Sequence, residues 1–239
     1  MAAVKNAMLM LTAATHRELE AALRFSGPLP PLRQAVPESR CIAGRDCVLL
    51  LTGVGLVNAA WALGRAAQLP GLSGVVNLGV AGSFDPDRFP LGRAAVVRRE
   101  IWPEYGLQTG NTADAHGLGF AQHAAAGPDQ VPVWNQVDLR PEEDARRMGL
   151  HLEDLPGAVS LSVGTVTATA ERARALQQDY GADLENMEGF ALAYGCLCAE
   201  LPFVELRCVS NRVGSRRRKD WDLAGALDGL GRAVAGLLG

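Results

Sequence analysis

Residues 190–209 read FALAYGCLCAELPFVELRCV, and this stretch sets the expected fold class. Phe190 to Leu201 is apolar enough for a buried helix, Pro202 ends it, and the run from Phe203 to Val209 predicts a buried strand. Polar residues flank this unit, because Glu188 precedes the helix and Asn211 follows the strand. Ligands of open α/β sheets collect outside the carboxyl ends of strands, so both positions are candidates for binding.

The rest of the chain repeats this alternation of strands and helices. We predict strands at residues 8–11, 75–82, 94–97 and 159–163, a hairpin around Gly44-Arg45-Asp46, and helices at residues 18–25, 57–68, 171–180 and 222–238. The pattern predicts one α/β domain over residues 1–239, with a central mixed β-sheet flanked by helices. Trp102 to Trp134 lacks periodicity and is interpreted as a binding loop or lid.

The composition argues against several functional classes. The 239 residues carry a net charge of −3, which does not suit a general nucleic-acid binder. Five cysteines without Cys-x-x-Cys spacing predict reduced thiols in a cytosolic protein. No apolar run reaches about 18 residues and no signal peptide is recognisable, so we expect neither secretion nor a membrane span. The four histidines show no ligand spacing, so we expect no metal.

Glu188 and Asn211 also have ordinary structural interpretations. A Glu at a helix start often offsets the helix dipole, and an Asn after a strand often occupies a turn. Gly53 and Gly55 form a turn before a helix that could hold an anion, although they lack the third glycine of a dinucleotide fingerprint. The strand at residues 75–82 ends in glycines that let a ligand approach the backbone, or that simply form a tight turn. The candidate contacts there are Gly79, Ala81 and Gly82.

Several segments, taken in order and spacing, resemble the purine nucleoside phosphorylase and nucleosidase superfamily, and most closely its futalosine hydrolase branch. They are Ala14-Thr15-His16-Arg17-Glu18, Thr52-Gly53-Val54-Gly55-Leu56-Val57-Asn58, Asn77-Leu78-Gly79-Val80-Ala81-Gly82, Asn186-Met187-Glu188-Gly189, Ser210-Asn211 and the tail from Gly214 to Asp222. The Asn-x-Gly-x-Ala-Gly and Met-Glu pieces are shared across the superfamily. The Glu-Asn-Met-Glu-Gly form and the Arg-rich segment before Trp221-Asp222 resemble the futalosine branch.

The resemblance implies that water removes hypoxanthine from futalosine, an intermediate of an alternative menaquinone route. The 5′ end of this nucleoside carries a benzoate-bearing chain. The resemblance also implies a nucleoside phosphorylase-like subunit that is usually paired into homodimers or larger rings. We expect a small-molecule nucleoside as the ligand, and no cofactor, nucleic acid or membrane as a partner.

The chemistry of this reaction suits Glu188 and Asn211. Cleavage of the bond to C1′ builds positive charge on the ribose and negative charge on the purine. Glu188 would accept hydrogen bonds from the 2′ and 3′ hydroxyls and stabilise the cationic ribose, with Met187 packed on the ribose face. Asn211 would accept from N7 and donate to an oxygen at C6, which favours a 6-oxopurine over the 6-amino purines for which relatives carry an aspartate.

The position of Glu18 in the resemblance implies that it is the general base for the attacking water, with His16 as the runner-up. The benzoate requires a cation, and Arg216 and Arg218 are candidates because guanidinium groups bind carboxylates in bidentate fashion. A solvated loop explains these two arginines equally well. The remaining expected substrate contacts are Val166, Thr167 and Ser210.

Three alternatives remain at this point. A phosphorylase would need a phosphate site beside residues 77–82. Ser83 follows that loop, but Arg65 and Arg88 match no motif, so hydrolysis is favoured. Cleavage of thioadenosine-type nucleosides is disfavoured by Asn211. A non-catalytic nucleoside sensor would keep the sugar and base contacts but lack a working base.

Overall fold

A computed structural model describes residues 7–108, 110, 112–124, 131–152 and 154–239. The strands in this part are β1 (Met8–Ala13), β2 (Glu38–Ile42), β3 (Arg45–Leu51), β4 (Leu72–Ser83), β5 (Ala94–Ile101), β6 (Leu107–Gln108), β7 (Ala113–Asp114), β8 (Gln136–Asp138), β9 (Gly157–Ser162), β10 (Leu184–Asn186) and β11 (Phe203–Arg212). The helices are α1 (His16–Ala22), α2 (Leu56–Ala66), α3 (Pro141–Arg147), α4 (Ala170–Tyr180), α5 (Gly189–Cys198) and α6 (Leu223–Leu238). Arg24–Ser26 and Arg218–Asp220 form short 3₁₀ turns.

Nine strands of the described residues form one mixed sheet. Eight follow the order β10-β9-β5-β11-β4-β1-β3-β2, and β8 pairs with β5. β10 also pairs antiparallel with β4, so the sheet closes on itself through β10, β9, β5, β11 and β4. This closure places the ends of β4, β10 and β11 side by side.

Helices cover both faces of the sheet. Successive residues of β1 face opposite sides: Leu11 packs in the cluster that contains α1 and α6, whereas Met10 packs in the cluster that contains α2 and α5. β1 therefore contributes to two apolar cores, which explains its apolar sequence on both faces. The predicted α/β class, with a central mixed sheet flanked by helices, is confirmed.

The predicted hairpin around Gly44 is confirmed as β2 and β3. Ala43 and Gly44 turn the chain with φ values of 49° and 76°. β11 continues to Arg212, beyond the predicted end at Val209, so Asn211 lies in the strand instead of after it. A register shift between Val209 and Asn211 marks this extension. The sequence did not predict α3 and β10.

Part of the stretch interpreted as a loop or lid is ordered by contacts with the main body. β6 and β7 form a separate two-stranded sheet there, and the ring of Trp102 lies 5.8 Å from that of Phe190 on α5. Residues 109, 111 and 125–130 of this stretch lie outside the described residues. Across the described part of the chain, no helix has both the length and the apolar character of a bilayer-spanning segment.

Candidate active site

A cavity of about 420 Å³ opens at the ends of β1, β4, β10 and β11. Its lining residues come from segments that are far apart in the sequence. The predicted site residues that it brings together are Glu18, Val166, Ala81, Gly82, Met187, Glu188, Ser210 and Asn211. None of the described residues of the 102–134 stretch contributes to this lining, and neither does His16.

Glu18 is held by the start of α1. Thr15 is the N-cap, and its backbone N–H and hydroxyl donate to Oε2 of Glu18 over 3.1 and 2.7 Å. The N–H of Val80 on β4 donates to Oε1 over 3.1 Å. The Thr-x-x-Glu pattern is thus a capping box whose carboxylate also reaches the cavity. These three donors fix its position against the cavity wall.

Glu188 precedes α5, but its side chain makes no capping hydrogen bond to that helix. Its Oε1 atom instead accepts from the N–H of Gly55 over 2.9 Å. Gly55 has a φ of 95°, which favours glycine, and it caps α2. The turn predicted to hold an anion therefore holds the carboxylate of Glu188. Burial raises the pKa of Glu188, and Arg207 and the N–H of Gly55 oppose this shift.

Arg207 lies beneath these carboxylates and is almost fully buried. Its Nη1 atom is 3.8 Å from Oε2 of Glu188, and its Nε atom donates to Glu205 over 2.6 Å. Burial opposes its charge, but the carboxylates of Glu205, Glu188 and Glu100 raise its pKa above the usual value. Gly79 does not line the cavity, yet a Cβ at that position would overlap the guanidinium. Gly79 therefore makes room for Arg207.

A buried polar network supports Arg207. Asn186 Oδ1 accepts from Arg207, from the N–H of Glu188 over 2.8 Å and from the N–H of Gly189 over 2.7 Å. Its Nδ2 atom donates to Glu100 over 2.7 Å. Burial and the nearby carboxylate of Glu205 raise the pKa of Glu100 well above its usual value. The network thus ties the start of α5, including Glu188, to the centre of the sheet.

Asn211 lies near the end of β11 and lines the same cavity. Its Oδ1 atom accepts from the hydroxyl of Ser210 over 2.9 Å. On β4, a Cβ at Gly82 would lie 3.0 Å from Nδ2 of Asn211, so the amide reaches over this glycine. Its position in a strand excludes the interpretation of Asn211 as a turn residue.

The two candidate arginines occupy different places. The guanidinium carbon of Arg216 lies 5.3 Å from the ring centre of Trp221, and Trp221 lines the cavity. Arg216 itself lines a neighbouring cavity together with Arg212. Arg218 belongs to the 3₁₀ turn at residues 218–220 and is exposed. The structure therefore places only Arg216 beside a wall of the main cavity.

Thr167 is buried behind the cavity, and its N–H donates to Oε1 of Glu185 over 3.0 Å. Glu185 and Arg207 lie in segments next to the predicted site residues, but the sequence alone indicates no role for either. Thr167 lies in the loop between β9 and α4, and Glu188 lies just before α5, so these contacts of Glu185 and Arg207 form only in the tertiary structure. Trp221 was seen as part of a motif, whereas its place in the cavity wall depends on the bridge between Asn211 and Trp221.

The two arginines considered for phosphate binding are engaged elsewhere. Arg88 forms an ion pair with Asp183 over 2.6 Å, and Arg65 lies 5.1 Å from the ring centre of Trp61. Neither arginine lines the cavity. Within the described residues, no group of three histidine, cysteine or acidic side chains is placed to hold a metal ion.

Comparison with known proteins agrees with this geometry. The sequence profile of the phosphorylase superfamily matches residues 11–235. The chain is 37% identical over 202 residues to a futalosine hydrolase of Thermus thermophilus, covering 83% of this chain and 84% of that protein. The chain belongs to the futalosine hydrolase family of the phosphorylase superfamily. A second futalosine hydrolase, from Streptomyces coelicolor, is 33% identical over 198 residues, which cover 79% of this chain and 77% of that protein.

The family's fold is also seen in solved structures. A futalosine hydrolase of Helicobacter pylori superimposes with a TM-score of 0.72 and covers 96% of each chain. Its sequence identity is 18%, so this likeness supports the fold alone.

Proposed function

We propose that this protein hydrolyses the N-glycosidic bond of futalosine, releasing hypoxanthine and dehypoxanthine futalosine in an alternative route to menaquinone. The observation that carries the proposal is the convergence of Glu18, Glu188 and Asn211 on one cavity. Its volume of about 420 Å³ lies in the range of small-molecule sites. Two carboxylates and one amide supply groups for the sugar, the water and the base.

The sugar is stabilised by Glu188. Its carboxylate is oriented by the N–H of Gly55 and by Arg207, which leaves lone pairs for the ribose hydroxyls. As the bond between C1′ and N9 lengthens, positive charge grows on the ribose ring. A fixed carboxylate in a buried site stabilises that charge without first having to reorient. Met187 lines the same cavity and offers an apolar surface to the ribose.

The leaving base is bound by Asn211. The electrons of the breaking bond pass to the purine, which takes up a proton at N7. An amide cannot release a proton, so this proton comes from solvent or through a relay. Asn211 then stabilises the product by accepting from N7–H and donating to the oxygen at C6. Ser210 orients the amide by donating to Oδ1.

The attacking water is activated by Glu18. Its carboxylate is held by donors from Thr15 and Val80 and reaches the cavity. The water oxygen bonds to C1′, and one of its protons passes to Glu18, which later returns it to solvent. The other proton remains on the new hydroxyl group. Arg207, near both carboxylates, offsets their mutual repulsion.

The benzoate end of the substrate would extend towards Trp221. Arg216 stacks over that ring and can reach a carboxylate at the rim of the cavity. Arg218 is exposed in the adjoining turn and is the weaker candidate.

A chromatographic assay tests the function. Purified protein is incubated with futalosine, inosine and methylthioadenosine, each with and without phosphate, and free base is measured. We expect hypoxanthine from futalosine at a rate that phosphate does not change. Absence of hypoxanthine release would refute the proposed activity, and strict dependence on phosphate would identify a phosphorylase.

We also propose that the protein is a homodimer or a larger homo-oligomer in the cytosol. Val57 and Trp61 on α2 are 84% and 55% exposed, and Val54 at the start of this surface also lines the cavity. A second copy seated here would cover apolar surface and close one cavity wall. Light scattering should give at least twice the monomer mass, and Val57→Asp should lower it. The free buried thiols of Cys47, Cys196 and Cys208 suit a reducing compartment.

A further inference from the structure

Glu185 is a buried carboxylate in the cavity wall to which the proposed mechanism gives no role. It is 7% exposed and lines the cavity. Its Oε1 atom accepts from the N–H of Thr167 over 3.0 Å, whereas its Oε2 atom has no partner within hydrogen-bond distance among the described residues, although the Thr167 side chain lies close enough to oppose the rise of the Glu185 pKa. An unsatisfied buried carboxylate oxygen is costly, so a native site that retains one has room for a donor.

Sheet register places Glu185 opposite the amide that reads the base. Gly82 on β4 pairs with Glu185 of β10 on one side and with Asn211 of β11 on the other. Directly paired residues project to the same face of a sheet, so both side chains flank the glycine. Neighbouring strands lie about 4.8 Å apart, so the two backbones are separated by roughly 10 Å. The amide of Asn211 lies over Gly82, where a Cβ would be 3.0 Å from Nδ2, and both this amide and the carboxylate of Glu185 line the cavity that would receive the base.

The hydrogen-bonding edge of a 6-oxopurine matches this pair. N7, the oxygen at C6 and N1–H lie in sequence along one edge. If Asn211 forms hydrogen bonds with N7 and with the oxygen at C6, the next group along this edge of the purine is N1–H, which is a hydrogen-bond donor. A 6-amino purine presents a lone pair at N1, which would face the lone pairs of the carboxylate. The N–H of Thr167 cannot serve that lone pair, because it already donates to Glu185.

We propose that Glu185 is a specificity-determining residue whose carboxylate accepts a hydrogen bond from N1–H of the 6-oxopurine. This inference rests on the proposed function and deepens it, because it assigns the N1 position of the base to a named group. Asn211 and Glu185 together form hydrogen bonds with three neighbouring groups of the base, which are N7, the oxygen at C6 and N1–H. The role of Thr167 is then indirect: it orients Glu185 through its backbone N–H.

Ligand binding to the wild-type protein tests this first. Hypoxanthine and 6-methoxypurine both carry oxygen at C6, but only hypoxanthine carries hydrogen at N1. Calorimetry should show hypoxanthine binding about 100-fold more tightly, since a site built for one donor rejects an analogue that lacks it. Equal affinities would overturn the proposal.

The variant Glu185→Gln makes the test sharper. The N–H of Thr167 requires an acceptor, so the amide oxygen should take the place of Oε1 and the NH₂ group should face the base. We expect at least a tenfold loss of affinity for hypoxanthine and a gain for 6-methoxypurine, which lowers their ratio by about 100-fold. An unchanged ratio would refute the inference. If the variant fails to fold, the wild-type comparison still decides.

Glu104→Gln is the matched control. Glu104 lies near Glu185, and its charge contributes to raising the pKa of that residue, but it does not line the cavity. Removing its charge should leave the ligand ratio unchanged, and a change equal to that in Glu185→Gln would point to a general electrostatic effect and overturn the proposal. Base release from futalosine by the wild type is measured in parallel. If the protein prefers hypoxanthine over 6-methoxypurine but releases no base from futalosine, this inference stands and the proposed function is refuted. If it releases hypoxanthine from futalosine but binds the two purines equally, the proposed function stands and this inference is refuted.

Discussion

The Nε atom of Arg207 donates to the carboxylate of Glu205 over 2.6 Å, and both side chains are almost completely buried. This pair anchors the guanidinium whose other end lies 3.8 Å from Glu188. The sheet interior thus orients a charge next to the cavity. A buried pair of this kind is costly to break, because the remaining charge has no water to replace its partner.

Replacing Arg207 with Met should therefore destabilise the protein strongly. The change leaves Glu205 buried without its cation, which costs about 3–5 kcal/mol of unfolding free energy. Urea unfolding measures the loss. Arg99→Met is the control, because it breaks an exposed pair with Asp138 and should cost less than about 1 kcal/mol. Similar losses of unfolding free energy in the two variants would show that the buried ion pair contributes no more to stability than the exposed one.

Glu100 should make stability decrease as pH rises. Its pKa in the folded protein lies well above 4.5, because of burial and the Glu205 carboxylate. The folded state keeps this proton where the unfolded chain has released it, so the contribution is complete below pH 4.5 and is lost as pH rises towards the folded pKa. The slope is about −1.4 kcal/mol per pH unit for one proton.

Glu100→Gln should remove that slope from the pH profile of the unfolding free energy. Glu142→Gln is the contrasting control, because hydrogen bonding to Arg98 lowers the pKa of exposed Glu142. The contribution of Glu142 is present above its unfolded pKa and is lost as pH falls, so its removal acts with the opposite sign. A Glu100→Gln profile parallel to that of the wild type would contradict the prediction.

Glu18→Gln should abolish turnover while preserving binding. The amide oxygen can still accept from Val80 or Thr15, but the group cannot take a proton from water. We expect kcat to fall by about 10²–10⁴-fold with little change in hypoxanthine affinity. The control is Glu20→Gln, an exposed position on the same helix, which should keep wild-type kcat. Full activity in Glu18→Gln would remove Glu18 as the base.

Arg216→Met should weaken futalosine selectively. Loss of a guanidinium that binds the benzoate should raise KM for futalosine about tenfold, which corresponds to about 1.4 kcal/mol. Inosine lacks the benzoate, so its KM should not change. Arg218→Met serves as the comparison, because Arg218 lies in the exposed turn beyond Trp221. Equal effects on both substrates would indicate that Arg216 acts on the structure of the site instead.

The sequence predicted long, apolar elements well and short or charged ones poorly. β4 and β11 are rich in apolar residues and almost entirely buried, as expected for strands covered on both faces. α3 was missed because its sequence PEEDARR buries only Pro141 and Ala145 and so has no apolar stripe. β10 was missed because it has three residues and two of them are polar. It exists as a strand because β9 and β4 pair with it.

The residues of the candidate site also differ in how far the sequence predicted them. Glu18, Glu188 and Asn211 were predicted from short motifs and from the family resemblance that those motifs carry, and the structure places all three in the lining of one cavity. Arg207 and Glu185 lie in neighbouring sequence segments. Those segments do not show which polar atoms of the two side chains form hydrogen bonds in the folded protein. That depends on strand register, which pairs Gly82 with two strands at once.

The amino-acid sequence by itself determined the order of the long strands and helices, the family and the residue types available for chemistry, because periodicity and motifs are local properties of the chain. The closure of the sheet and the burial of each carboxylate were decided only by tertiary structure. Hydrogen bonding and desolvation depend on neighbours that are distant in sequence, such as Glu185 and Thr167 or Glu188 and Gly55. Those neighbours determine which oxygen of a carboxylate remains available to a substrate.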